Sequence, residues 1–412
     1  MVRSAVTGRA RGRGGRRDGK AVGDKRSAVG QRPNGGRRDR PGARVSAGLV
    51  RRFTEALPAI LADVELLVRA ESPSSDVDAL AASADLVTRV GTRLLGVEPD
   101  RIGPHLRWRL GDGPPRVLVL GHHDTVWPIG SLGTHPFSVR DGVLRGPGCF
   151  DMKTGVVMAL HAIAALDDPA GVTLLVTGDE ELGSPSSRGL VESEAAGCAA
   201  ALVLEAAAGT SLKTARKGVS RYEVRVVGRA AHAGLEPELG VNAAVEAAHQ
   251  LLAVAALSEP ARGTTVTPTL LGAGTSGNTV AAHGAFTVDV RVTSAAEQDR
   301  IDRRVHALKP VLPGARLEIL GGPNRPPLPA SASESLFALA RRLGRALGLE
   351  PITGVPVGGA SDGNFTAGVG TPTLDGLGAA GGGAHADHEH VLVAEIPGRT
   401  ALLTALLAAC LH

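Results

Sequence analysis

Two hydrophobic patterns divide the chain. Arg116–Leu120 (RVLVL), Val172–Thr177 (VTLLVT) and Ala200–Leu204 (AALVL) are continuous apolar runs, which predict strands buried on both faces. Helical spacing covers Ala47 to about Val90 and Asp151–Leu166. Strands alternating with helices predict an α/β fold with a mostly parallel sheet flanked by helices.

The pattern changes near Lys213. Arg221–Val227 (RYEVRVV), Thr264–Leu271 and Gly284–Thr293 alternate polar and apolar, as strands with one wet face do. Gly240–Leu257 and Arg300–Leu308 read as helices, and Ala315–Leu320 as a last strand. The order β-α-β-β-α-β predicts a ferredoxin-like α+β unit. After Arg325 come a helix at Ser333–Leu347, a short strand at Thr371–Leu374 and a closing helix at Val393–Leu411. The expected organisation is a tail at 1–45, an α/β unit from 46–214 and 325–412, and an inserted α+β unit at 215–324.

Composition sharpens this outline in three places. Only 2% of residues are aromatic against 43% hydrophobic, so Ala, Val and Leu must build the core. The formal charge of +4 hides an asymmetry: residues 1–44 hold fourteen Lys and Arg against three Asp, leaving the rest at −7. The Arg- and Gly-rich tail cannot offset its chain entropy by burial, so disorder is expected there. It is read as a dispensable extension rather than a nucleic-acid arm, and the acidic body argues against nucleic acid as a partner. No apolar run reaches the roughly 20 residues of a membrane span. The cysteines, Cys149, Cys198 and Cys410, are odd in number and form no CxxC pair, which fits a cytoplasmic protein without a disulfide framework.

Candidate chemistry falls at the ends of the buried strands, where open α/β sheets bind ligands. His122 and Asp124 follow the first, and a metal-bound imidazole commonly gives its second nitrogen to a carboxylate. Asp151 stands at a loop-to-helix junction, able to bridge two cations or merely to cap the helix. Asp179, Glu180 and Glu181 follow the second strand and would repel one another without a cation. Glu205 ends the third strand, and His385 lies in the His-rich loop 383–390. Nitrogen and oxygen ligands suit zinc, with Co2+ or Mn2+ as alternatives. The sequence has no HExxH and no GxxxxGK[ST], which removes thermolysin-like and phosphate-loop readings.

In order, GHHDTV, GPGCFDMKTG, TGDEELGS, LVLEA and GGGAHADHEHV resemble the ligand segments of the co-catalytic dizinc metallopeptidases. That family includes glutamate carboxypeptidases, acetylornithine deacetylases and succinyl-diaminopimelate desuccinylases. The resemblance spans about Ala47 to His412 and leans to the glutamate carboxypeptidase branch. It implies a zinc-exopeptidase-like fold whose insertion serves as a dimerisation or lid domain. It implies two Zn2+ per subunit, one held by His122, Asp151 and Glu205, the other by Asp151, Glu181 and His385. Glu180 would be the general base and Asp124 the orienting partner of His122. His232 would reach the partner subunit's site in a homodimer, while Asn278, Arg291 and Gly359 would contact substrate. The Asp151–Met152 peptide would be cis. Thr154 and His390 depart from the Gly and Tyr common at those positions.

The implied activity is hydrolysis of a peptide or N-acyl amide bond beside a free carboxylate, in a small peptide or N-acyl amino acid. An N-acyl-amino-acid deacylase or desuccinylase is the alternative, because the chemistry at the amide is the same. A metal-free scaffold protein that keeps the fold is the non-enzymatic alternative.

Overall fold

The computed structural model describes residues 46–412, so the expectation of a disordered tail falls outside the described residues. Four strands of the central sheet carry the buried apolar runs. Val172–Thr177, Val117–His122, Ala200–Val203 and Thr373–Leu374 lie side by side in that order, all parallel. Every residue of Val117–His122 and Val172–Thr177 is buried, as strands covered on both faces require. Two short strands, Asp100–Ile102 and His105–Arg109, add antiparallel to the Val172–Thr177 edge and make six strands. The sequence pattern predicts no element here, because the alternation in His105–Arg109 (HLRWR) lasts only five residues.

Helices pack on this sheet around one large apolar cluster. The expected single helix over Ala47 to about Val90 is two, Ser46–Arg69 and Val77–Leu95. Glu71-Ser72-Pro73-Ser74 separates them; proline disfavours helix in the residue before it, and Asp76 caps the second helix by accepting from the N–H groups of Asp78 and Ala79. Regular helix after Asp151 starts only at Thr154, because Cys149–Lys153 form a wider turn with non-helical Asp151 and Met152. The Asp151–Met152 peptide is cis.

The closing helix Ile396–Leu411, with the short turn Val393–Glu395 before it, corrects the reading of apolar runs. The segment Val393–Leu411 has the length and apolarity of a membrane span. In this fold it is a core element, with Leu402, Leu403, Leu406 and Leu407 buried among the helices at Ser46–Arg69 and Thr154–Ala164.

A second, four-stranded antiparallel sheet has the order Thr265–Ala273, His283–Val292, Gly218–Val227, Arg316–Arg325. With helices Ala243–Ala255 and Ala295–His306 on one face, this is the ferredoxin-like topology. Tyr222, Val224, Val226, Phe286, Val288 and Val290 point to the helices and form a separate core. Arg221, Glu223 and Arg225 alternate to the other face, as the period of two requires.

Candidate active site

The ends of the parallel strands and two neighbouring loops bring seven of the predicted residues to one place: His122, Asp124, Asp151, Glu180, Glu181, Glu205 and His385. His122 closes its strand with its ring 2% exposed. Its Nδ1 lies 3.0 Å from the backbone oxygen of Asp124 and 3.4 Å from the Asp124 carboxylate. Its Nε2 faces Asp151 Oδ1 at 3.5 Å and Glu205 Oε1 at 3.8 Å. On the other side of Asp151, Oδ2 lies 3.5 Å from His385 Nε2, which is 3.1 Å from Glu181 Oε1. Asp151 thus divides its two oxygens between two imidazoles.

These separations test whether a metal fits. Two ligand atoms about 2.0–2.1 Å from one tetrahedral zinc stand about 3.3–3.4 Å apart. Most of the distances around Asp151 exceed a good hydrogen bond and match shared coordination instead. His122 with Asp151 and Glu181, and His122 with Glu180 and Glu205, also fall within reach of single cations. The residues present fit the metals that the motifs imply.

The electrostatics agree. Burial disfavours charge on His122, yet hydrogen bonding to Asp124 and Asp151 overrides it and holds the imidazole well above its ordinary pKa. Hydrogen bonds to Asp151 and Glu181 lift His385 to about 10. Glu205 is pushed up by burial and by repulsion from Asp151, with Arg216 and Lys213 pulling against the shift. Burial raises Glu180 well above the ordinary glutamate range despite the Arg325 guanidinium beside it. Buried carboxylates crowded around two imidazoles in this way are suited to hold cations.

Several supporting residues were invisible in the motifs. The carboxylate of Asp124 accepts from the N–H groups of Glu180 and Glu181, at 3.2 and 3.1 Å, and from Ser74 Oγ at 2.6 Å. Asp124 therefore sets the acidic turn as well as His122. Asp179, expected to crowd this site, turns away to accept from the N–H and hydroxyl groups of Ser186 and Ser187. Only two of the three consecutive acids face the cluster.

Arg325, at the end of the second sheet, donates to Glu180 Oε1 at 2.8 Å and to Asp362 Oδ1 at 2.9 Å. Arg216 pairs bidentately with Asp375, stands 3.3 Å from Glu205 and donates to the carbonyl of Gly359. No spacing rule finds these arginines, because apart from Glu205 the partners named lie about 40 to 160 residues away along the chain.

The remaining predicted contacts are not gathered there. Arg291 pairs with Asp289 on its own strand. His232 is exposed, its Nδ1 accepting from the Gly234 N–H, in a loop bridged to the Asn278–Thr279 turn. This turn precedes His283, whereas Arg291 lies at the opposite end of the same strand. At about 3.3 Å per residue the two ends are roughly 25 Å apart.

The chain has recognisable relatives. Carboxypeptidase G2 of Pseudomonas sp. (strain RS-16) is 29% identical over 377 residues, covering 86% of this chain and 90% of its own. A succinyl-diaminopimelate desuccinylase of Anaplasma marginale (strain Florida) is 45% identical over 74 residues, 17% of this chain and 19% of its own. Among solved structures, aminopeptidase PepT from Bacillus cereus ATCC 10987 superposes with a TM-score of 0.68 at 20% identity, over 86% of this chain and 99% of that one. An M20 family metallo-carboxypeptidase from Sulfolobus solfataricus gives 0.66 at 15% identity, over 86% and 98%. Residues 118–409 match the model of peptidase family M20/M25/M40, to which this chain belongs as a metal-dependent peptidase or amidohydrolase.

Proposed function

We propose that the protein is a carboxypeptidase-like amidohydrolase that uses two Zn2+ ions to cleave a peptide or N-acyl amide bond beside a free carboxylate. The observation that carries this reading is Asp151, whose two oxygens face two separate histidines, each accompanied by a further carboxylate. His122, Asp151 and Glu205 hold one ion; Asp151, Glu181 and His385 hold the other. Bound there, the ions supply a water of lowered pKa and polarise the scissile carbonyl.

Glu180 is the general base. Its Oε1 accepts from Arg325, which fixes the carboxylate beside the ligand cluster. It takes the proton of the attacking water and returns it to the leaving nitrogen. Asp124 keeps His122 oriented and anchors the turn that carries Glu180.

Substrate recognition is assigned to His232, Asn278, Arg291 and Gly359. His232 and Arg291 stand at opposite ends of a strand, so one chain is poorly placed to bring both to one small substrate. A homodimer relieves this. The edge strand Thr265–Ala273 has one unpaired side, and Leu252, Leu270 and Leu271 nearby are 67%, 71% and 60% exposed. Two-fold pairing through this edge would carry His232 toward the partner's metals, where it steadies the developing oxyanion. The three free cysteines accord with a cytoplasmic setting.

The test is zinc content per chain together with mass-spectrometric screening of the zinc-loaded protein on dipeptides and N-acyl amino acids. Two zinc ions per chain and release of a C-terminal amino acid are expected. Fewer than two, or no cleavage of any carboxylate-bearing amide, defeats the reading. Preferential turnover of succinylated substrates would move the assignment to the desuccinylase alternative.

A further inference from the structure

The His-rich loop contains a second functional group that the ligand assignment does not use. Glu389 is 3% exposed and four residues from His385. Its Oε1 accepts from the backbone N–H groups of Phe150 at 2.8 Å and Asp151 at 3.0 Å. Its Oε2 accepts from the Gly148 N–H at 2.9 Å and from Trp127 Nε1 at 2.7 Å. Four donors from two chain segments thus converge on one carboxylate, and among the described residues no cation pairs with it.

The consequence lies in what the joined segments carry. Residues 146–151 end on Asp151, and residues 383–390 carry His385. Backbone pairing between His390 and Arg145 fixes the outer parts of the same two segments. Glu389 closes the inner part, donor by donor, up to the Asp151 N–H itself. His385 is half-exposed and its backbone adopts φ +63°, so its own residue contributes little to holding it.

We propose that Glu389 is a positioning residue that sets the spacing between Asp151 and His385, and with it the affinity for the second metal ion. This rests on the two-metal reading above. Both loop-borne ligands of that ion depend on Glu389. The other ion shares only Asp151 with it, since His122 and Glu205 come from strand ends. Loss of Glu389 should therefore weaken the two ions unequally. The expected size is about 10–100-fold for the dependent ion, the usual effect of removing a group that orients metal ligands. The neighbouring Asp387 and His388 have no comparable role: Asp387 is 90% exposed, and His388 meets Arg145 and His390 through its backbone oxygen.

The test titrates full-length, metal-stripped protein with Zn2+ against a competing chromogenic chelator, for wild type, Glu389→Ala and Glu389→Gln. Alanine removes all four acceptor contacts. Glutamine keeps the shape but can present an NH2 group to two of the four donors. Both variants should bind one of the two ions at least about 10-fold less tightly, with a smaller change for the other. A zinc series of melting temperatures separates positioning from general structure. A structural role lowers the curve at every zinc concentration, whereas a positioning role moves its midpoint to higher zinc. If Glu389→Ala does not fold, Glu389→Gln decides. Two wild-type affinities in a folded Glu389→Gln protein overturn the inference and leave the two-metal reading intact. A wild-type protein that binds fewer than two zinc ions overturns both.

Discussion

The two sheets treat charge in opposite ways. At the ends of the six-stranded sheet, Asp151, Glu180, Glu181 and Glu205 crowd around two imidazoles, and the cluster draws protons onto His122 and His385. On the four-stranded sheet, Arg291 pairs with Asp289 and Arg225 with Glu223, each two residues along its own strand, while His232 stands in an exposed loop. The first arrangement is incomplete without cations, whereas the second is electrostatically complete as it stands. Buried like charge of this kind marks a candidate metal centre within one chain. A recognition surface built for a partner leaves no such internal mark.

The contrast is broken most directly at Glu180. Glu180→Gln should retain both metals and lose about 10²–10⁴-fold in kcat, the range for a general base. Zinc analysis alongside single-turnover kinetics checks this, and near-normal turnover in a metal-replete variant would remove Glu180 from the role.

The next effect tests whether the second sheet works only across subunits. His232→Ala should lose about 10²–10³-fold, as when an oxyanion donor is removed. Mixing inactive His232→Ala with inactive Glu180→Gln should restore activity, because some mixed dimers regain one complete site. Subunit exchange without recovered activity would confine His232 to its own chain.

A smaller effect concerns the joint between the sheets. Arg325→Met leaves the buried carboxylates of Glu180 and Asp362 without their shared guanidinium. The expected cost is about 3–5 kcal/mol of stability, read from the denaturant midpoint. An unchanged midpoint would show that the pair is not part of the folded ground state.

The smallest effect serves as a control, a buried carboxylate whose partners the chain itself supplies. Burial raises the pKa of Asp63, but His161 and Arg93 outweigh it and hold it below the ordinary 3.8. A depressed carboxyl contributes stability above its unfolded pKa and loses it as the pH falls through its folded pKa. Asp63→Asn should therefore be destabilised at pH 7, and the gap to wild type should close below about pH 3.8. Melting curves across that range, with and without zinc, should give the same gap. A zinc-dependent gap would contradict the assignment of Asp63 as independent of the metals.

How much the chain discloses of itself varies by element. The parallel strands were readable because burial on both faces demands unbroken apolar runs, and Val117–His122 and Val172–Thr177 lie within a residue or two of the expected places. The second sheet was readable from its alternation. The break at Glu71–Ser74 was hidden by apolar spacing on both sides, and the edge strand His105–Arg109 by its shortness. His122, Glu180, Glu181 and Glu205 are singled out because they follow strand ends, Asp151 because it stands at a loop-to-helix junction, and His385 because its loop is rich in histidine.

The sequence by itself determined the fold class and the order of most elements, and it marked candidate ligands, since strand burial and strand-end chemistry are written into short stretches. Only the tertiary structure decided which of three consecutive acids turns away, that Asp151 splits its oxygens between two histidines, and that Arg216, Arg325 and Glu389 hold the site together. These depend on distances of a few ångströms between residues up to about 240 positions apart, a relation set by packing that leaves no periodic trace along the chain.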